Sequence, residues 1–276
     1  MKTFRNFLYI EFLYNGHLQS LGAISVIILT SIISNIPINF PLIFAIYLIF
    51  HTIFLYDRYI DLNKDKTTNS KRTNHILKYK KLIPYILIIE SVVSLSILLS
   101  LRPLTYTLLY LILFLGLIYP QYVKPLTKVI PLFKNIYVSL VYAILVLLFS
   151  INLSWQIIIF SIIVLIEQLS AQFLLDIKDI DSDKQNSLKT LPVLTSAKTT
   201  ILIYKLISLI TVMFCLLLIL LNPNNKTLFL LLLSTSVVNI LILYLYKNKN
   251  VFNALILASS KIFFWISIIK LVTLIK

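Results

Sequence analysis

Nine segments of this chain are apolar over lengths that match the roughly 30 Å hydrocarbon core of a bilayer. They run over residues 13–34, 38–56, 82–101, 104–119, 135–152, 155–175, 199–221, 227–246 and 252–275. So little sequence lies between them that no water-facing domain can be built from the remainder. The chain is 59% hydrophobic and 13% charged, with 3 glycines in 276 residues and a mean hydropathy of +0.94, well outside the range of a soluble domain. Alternation of apolar and polar residues at period two is absent, which excludes a membrane barrel. The segments are therefore predicted as helices that satisfy their own backbone groups within lipid. The expected fold is an all-α membrane protein of nine transmembrane helices in a single bundle around a central cavity, one domain over residues 1–276.

The net charge of +15 raises nucleic acid as a partner, and the positions of the basic residues exclude it. With the N-terminus cytoplasmic, 20 of the 25 Lys and Arg fall on cytoplasmic segments. That is the positive-inside bias of a polytopic membrane protein, and it predicts an external C-terminus. Glu11, Asn15 and His17 interrupt the first apolar run and no small-residue cleavage site follows, so a signal peptide is not expected. A single cysteine, Cys215, excludes an intramolecular disulfide and a thiolate metal site.

Acidic residues are scarce, and seven of the ten Asp and Glu sit in two clusters. Asp57, Asp61 and Asp65 follow the second segment. Asp176, Asp179, Asp181 and Asp183 follow the sixth, on the same predicted cytoplasmic side. At about 100° per residue, Asp57, Asp61 and Asp65 share one helical face. So do Asp176, Asp179 and Asp183, with Gln172 one turn before Asp176, while Asp181 points elsewhere. Stacked carboxylates weaken a helix by repulsion. A divalent cation reverses that sign, because Mg²⁺ favours carboxylate oxygen and is commonly shared between one or two carboxylates and the phosphates of a substrate. Two opposed acidic clusters at the rim of a helical bundle are thus expected to clamp a Mg²⁺-diphosphate.

At these residues the sequence resembles the UbiA superfamily of intramembrane prenyltransferases. That family pairs N-x-x-x-D-x-x-x-D after its second helix with D-x-x-x-D after its sixth. Here the first motif reads DRYIDLNKD, with Asp57 where the family usually has Asn. The second reads DIKDIDSDKQNSLKTLPV, in a form like that of the naphthoate and homogentisate branches, with Ser187 at a position usually glycine. YPQYVKPLTKVIPLFKN, from Tyr119 to Asn135, is similar to the family's tyrosine-lysine segment. NSKRTNH, from Asn69 to His75, stands where the family has R-P-x-R-P, without either proline.

The resemblance implies Mg²⁺-dependent transfer of a prenyl group from a prenyl diphosphate to a hydrophobic acceptor, first of all an aromatic quinone precursor. It implies that Asp57, Asp61, Asp65, Asp179 and Asp183 are the catalytic metal ligands. Asp176 and Gln172 join them as substrate-side residues, with Arg72, Lys124 and Tyr119 drawn from the matching basic and tyrosine-lysine segments. Of the other cations on that side, Lys134 among them, most serve topology. The expected setting is the prokaryotic cell membrane with the site at its cytoplasmic face. Glu90, Glu167 and Lys261 lie within spans, where ionisable groups are costly. They are what a secondary transporter would use, the competing class. A UbiA-like terpene cyclase, or an archaeal-type lipid or carotenoid prenyltransferase, would use the same aspartates.

Overall fold

The computed structural model describes residues 10–37, 39–63, 66, 69–101, 104–150, 153–223 and 225–274. It is 83% helical, with no strand among the described residues. Seven helices are long and apolar enough to cross a membrane, and an eighth span results if Val251–Ser259 and Lys261–Lys270, bent by 77° at their junction, are taken together. Phe133–Phe149, the fifth expected segment, is apolar but has 17 residues, about 26 Å of helix, which is short of a full crossing.

The chain divides into two compact units: Met1–Ile24 with Asn39–Pro125, and Ser25–Ile38 with Leu126–Lys276. Helix α1 (His17–Ser34) contributes its first turns to the first unit and the rest to the second.

In the first unit, α2 (Phe40–Ile60) starts where the Asn39 side chain accepts the Leu42 N–H and Pro41 fits the first turn. It carries an apolar face that includes Leu42, Ala45, Ile46, Ile49 and Leu55, and it packs against α4 (Ile83–Ser100) and α5 (Tyr110–Ile118). Gly116 makes the α5 contact possible, because a Cβ there would collide with the side chain of Ile53. The short α3 (Ser70–Leu77) is pinned beneath the end of α2 by Ile76, buried with Leu55, Leu62 and Ile83.

Past α5 the helix widens into one π turn over Tyr119–Val123. Pro120 has no N–H to give to the regular ladder, and the Lys124 N–H reaches back five residues to the Tyr119 carbonyl. This turn sets the direction in which Lys124 leaves the backbone.

The second unit is built on α7 (Trp155–Ile177), capped by the Ser154 side chain, which accepts the Ile157 N–H. Helix α7 packs against α6 (Phe133–Phe149) and α10 (Ala197–Leu221) and touches α12 (Val251–Ser259). Between α7 and α10 come the short α8 (Ile180–Gln185) and α9 (Leu191–Leu194). Helix α11 (Lys226–Lys247) lies against α10, α12 and α13 (Lys261–Leu274). Ser187, after α8, has φ 56°, the left-handed conformation that glycine adopts without strain.

Candidate active site

Each unit carries its own cluster of carboxylates and cations. In the first, the last turn of α2 presents Asp57, and Asp61 caps the helix with its N–H on the Asp57 carbonyl. Asp61 is buried, and the Lys124 ammonium donates to its Oδ2. Asp57 Oδ1 is shut off from solvent and has no hydrogen-bond partner. Lys124, Asp61, Arg72 and Arg58 all act electrostatically on Asp57, and Tyr119 acts on Lys124. Asp61, Arg72 and Lys124 thus lie within electrostatic range of Asp57, and Tyr119 within range of Lys124. Asp65, the third member of that motif, lies outside the described residues.

In the second unit, the last turn of α7 buries Asp176 and α8 buries Asp183. One ammonium serves both, with Lys134 Nζ 2.9 Å from Asp176 Oδ1 and 3.2 Å from Asp183 Oδ2. The Asn135 amide donates to Asp176 Oδ2 at 2.8 Å, and its own carbonyl Oδ1 is buried without a partner. Asp179 is placed differently. It is about a quarter exposed, sits 3.9 Å from Lys178, and accepts the Asp183 N–H through its backbone carbonyl. Gln172 is half-buried one turn before Asp176, and Asp181 is exposed. The close carboxylate pair here is therefore Asp176 with Asp183, where the motif singles out Asp179 with Asp183.

Sequence reasoning counted Lys134 among several cations able to reach the phosphates without singling it out, and gave Asn135 no role. Their signal was present at the end of the tyrosine-lysine segment, in the letters KN, but nothing in the spacing separates Lys134 from other basic residues on that side. Buried Thr127 places them: its hydroxyl accepts the Lys134 N–H at 3.0 Å and its carbonyl accepts the Lys189 N–H at 3.0 Å. The Leu132 N–H donates to the Lys189 carbonyl at 2.9 Å, so the loop before α6 and the loop after α8 are laced by backbone bonds.

Among the described residues no three His, Cys, Asp or Glu side chains converge closely enough to hold a metal ion. What each unit offers is a pair, Asp57 with Asp61 and Asp176 with Asp183, with a buried oxygen that lacks a hydrogen-bond partner at each: Asp57 Oδ1 within the first pair and Asn135 Oδ1 next to the second. That donor set suits a hard divalent cation of the Mg²⁺ kind, which takes one or two carboxylates and completes its shell with water and substrate phosphate. A buried polar atom left unbonded costs on the order of 1–3 kcal/mol, which a ligand would recover.

Glu90, Glu167 and Lys261, the groups singled out within spans, are each paired. Glu167 and Lys261 are fully buried and 2.5 Å apart, with Lys261 donating to Ser170 Oγ at 2.6 Å and Asn239 donating to Glu167 Oε1 at 3.1 Å. Glu90 holds His51 at 2.8 Å and accepts the Thr52 hydroxyl at 3.0 Å. Asn15 and His17 bond to Glu11 and Tyr47. Outside the spans, Glu11 is held down at about 2 by His17, 3.9 Å away, and by hydrogen bonds from His75 and Asn15, acting against its partial burial.

The UbiA prenyltransferase family model matches residues 21–268. No curated relative matches the chain. Among solved structures, a UbiA homologue from Aeropyrum pernix K1 superposes with a TM-score of 0.73 at 14% identity, covering 92% of this chain and 98% of that one. A UbiA homologue from Archaeoglobus fulgidus bound to GPP and Mg²⁺ gives a TM-score of 0.62 at 13% identity, covering 93% and 99%. A digeranylgeranylglyceryl phosphate synthase structure gives 0.57 at 15% identity, covering 98% and 100%. The family model spans nearly the whole chain, including both aspartate clusters and the helices that carry them, and this integral membrane protein belongs to the UbiA prenyltransferase family.

Proposed function

We propose that the protein transfers a prenyl group from a prenyl diphosphate to a hydrophobic acceptor within the membrane, with Mg²⁺ as cofactor. The observation that carries this reading is the recurrence, in both units, of paired carboxylates with a bridging or bonded lysine and an unpartnered buried oxygen. Asp57, Asp61, Asp65, Asp179 and Asp183 are proposed to hold the metal, with Asp176 joining them because it shares Lys134 with Asp183. Bound Mg²⁺ supplies stabilisation of the charge that grows on the departing diphosphate.

The chain's own residues contribute the rest. Lys124 and Arg72, next to Asp57, bind the phosphate oxygens as preorganised cations. In the second unit, Lys134 is the cation beside Asp176 and Asp183 proposed to meet phosphate oxygen. Tyr119 and Gln172 orient the substrates, and the apolar helices exclude water and hold the prenyl tail.

Nine crossings with a cytoplasmic N-terminus follow if Phe133–Phe149 and the bent α12–α13 pair each count as one span. The basic bias of the connecting segments supports that orientation and a site on the cytoplasmic side, and a prokaryotic cell membrane is the proposed setting. The acceptor is proposed to be an aromatic quinone precursor, on the form of the DIKDIDSDK motif. The likeness to the digeranylgeranylglyceryl phosphate synthase supports a lipid glycerol phosphate as the second choice. A transporter reading would need Glu90, Glu167 or Lys261 available to a coupling ion, and each has a side-chain partner.

The test is product analysis by mass spectrometry after incubating the purified protein with geranylgeranyl diphosphate, Mg²⁺ and either 1,4-dihydroxy-2-naphthoate or geranylgeranylglyceryl phosphate. A prenylated product that needs Mg²⁺ and disappears in Asp61→Ala and Asp183→Ala supports the reading. Prenylated product retained in both variants sinks it.

A further inference from the structure

The position of Lys134 raises a question that metal binding alone does not answer. Its Nζ lies on Asp176 Oδ1 and Asp183 Oδ2, where a cation shared by these carboxylates would have to bind. An ammonium on these oxygens repels a divalent cation brought to the same carboxylates and takes lone pairs that the cation would use, so the two compete for the pair. The backbone of Lys134 is fixed: its N–H is bonded to Thr127, Leu132 before it takes φ 61°, and the loop is laced to Lys189. Its side chain is a flexible four-carbon stem that can move the charge by several ångströms without moving the loop. Next to it, Asn135 Oδ1 is buried and unbonded, an oxygen that an ammonium on the far side of Asp176 leaves unused. The first unit repeats the arrangement, with Lys124 on Asp61 and the unbonded Asp57 Oδ1 beside them.

We propose that Lys134 is a built-in counter-ion for Asp176 and Asp183 that competes with Mg²⁺, so that metal binds tightly only when a diphosphate is present to take the ammonium. This rests on the prenyltransferase reading and adds a binding order to it. Metal and diphosphate enter together: the anion draws Lys134 off the carboxylates, and the freed oxygens bind the metal. No covalent bond is made or broken in the exchange: the one ammonium offsets one of the two carboxylate charges, and the divalent cation that replaces it offsets both. The arrangement keeps a buried acidic pair from standing uncompensated between turnovers, a state that would cost several kcal/mol. It also keeps free divalent ions from occupying the site without substrate.

The experiment is Mn²⁺ binding, by electron paramagnetic resonance at fixed free Mn²⁺, to the detergent-purified protein and its Lys134→Met variant, with and without inorganic pyrophosphate. In the wild type, pyrophosphate is expected to tighten Mn²⁺ binding by about tenfold or more. In Lys134→Met, Mn²⁺ alone should bind at least about tenfold tighter than to the wild type: a positive neighbour lowers a carboxylate's proton affinity by about one to three powers of ten, and a divalent cation on the same carboxylates feels the same repulsion. The added gain from pyrophosphate should shrink. An unchanged or weaker affinity for Mn²⁺ alone in Lys134→Met overturns the proposal. If the variant does not fold without metal, Mn²⁺ must restore its thermal transition and raise it by more than it raises the wild type; failure to do so also overturns it. A wild type that binds no Mn²⁺ even with pyrophosphate removes the metal assignment itself, and the proposal falls with it.

Discussion

Lys124 is joined to Asp61 by an ammonium–carboxylate bond that a π turn makes possible. The widened turn closed by the Lys124 N–H on the Tyr119 carbonyl directs the lysine stem toward the end of α2, 63 residues earlier in the chain. The carboxylate is buried while the lysine keeps part of its surface open. Removing the lysine strands the acid.

Lys124→Met is expected to destabilise the protein by about 1–3 kcal/mol, the cost of leaving a buried carboxylate without its donor. Combining it with Asp61→Leu should recover most of that stability and no turnover. Thermal unfolding in detergent, run beside a prenyl-transfer assay, separates the two effects.

Glu167 and Lys261 form the most deeply buried ion pair among the described residues. Lys261→Met alone should cost about 3–5 kcal/mol, because Glu167 is then buried and unpaired. Glu167→Leu with Lys261→Met should come close to neutral. Proton-coupled uptake that depends on Glu167 would contradict a purely structural pair.

Ser187 occupies the left-handed region at φ 56° without glycine's freedom. Ser187→Gly removes strain worth about 1–2 kcal/mol and adds unfolded-chain entropy worth about 0.5–1 kcal/mol. The expected outcome is a gain of about 0.5 kcal/mol, seen as a small rise in melting temperature with Mn²⁺ affinity unchanged.

Glu11 carries a depressed folded value of about 2 against an ordinary 4.5, chiefly through His17, with His75 and Asn15 adding to it. The sign follows directly: a carboxyl depressed in the fold stabilises fully above its unfolded value and loses that contribution as pH falls toward 2. Between pH 5 and pH 3, about the span over which the unfolded carboxyl takes up its proton, the wild type should lose stability faster than Glu11→Gln. Parallel melting curves for the two proteins over that interval would speak against the assignment.

Both the all-helical fold class and the positions of the two acidic clusters could be read from the chain. Apolar length fixes helical spans, because a backbone in lipid has no other partner for its polar groups. Period-four aspartates after the second and sixth spans mark the acidic clusters, because a helix turns each fourth residue onto one face. Arg72 and Lys124 were legible only through their place in larger patterns; in the structure both act electrostatically on Asp57, and Lys124 bonds to Asp61.

What the sequence could not decide was which cation serves which acid. Lys134 was one of many cations on the predicted cytoplasmic side until Thr127 and the lacing to Lys189 fixed the start of α6 and set its ammonium across Asp176 and Asp183. Helical period groups Asp179 with Asp176 and Asp183, yet the chain leaves α7 before Asp179, which turns partly outward while Asp183 turns in. The bend at Ser260 and the pairing of Glu167 with Lys261 have the same origin. Spacing along a chain determines faces of single helices, whereas the partner of a buried charge is chosen by packing between residues 49 or 94 positions apart, and only the tertiary structure brings those together.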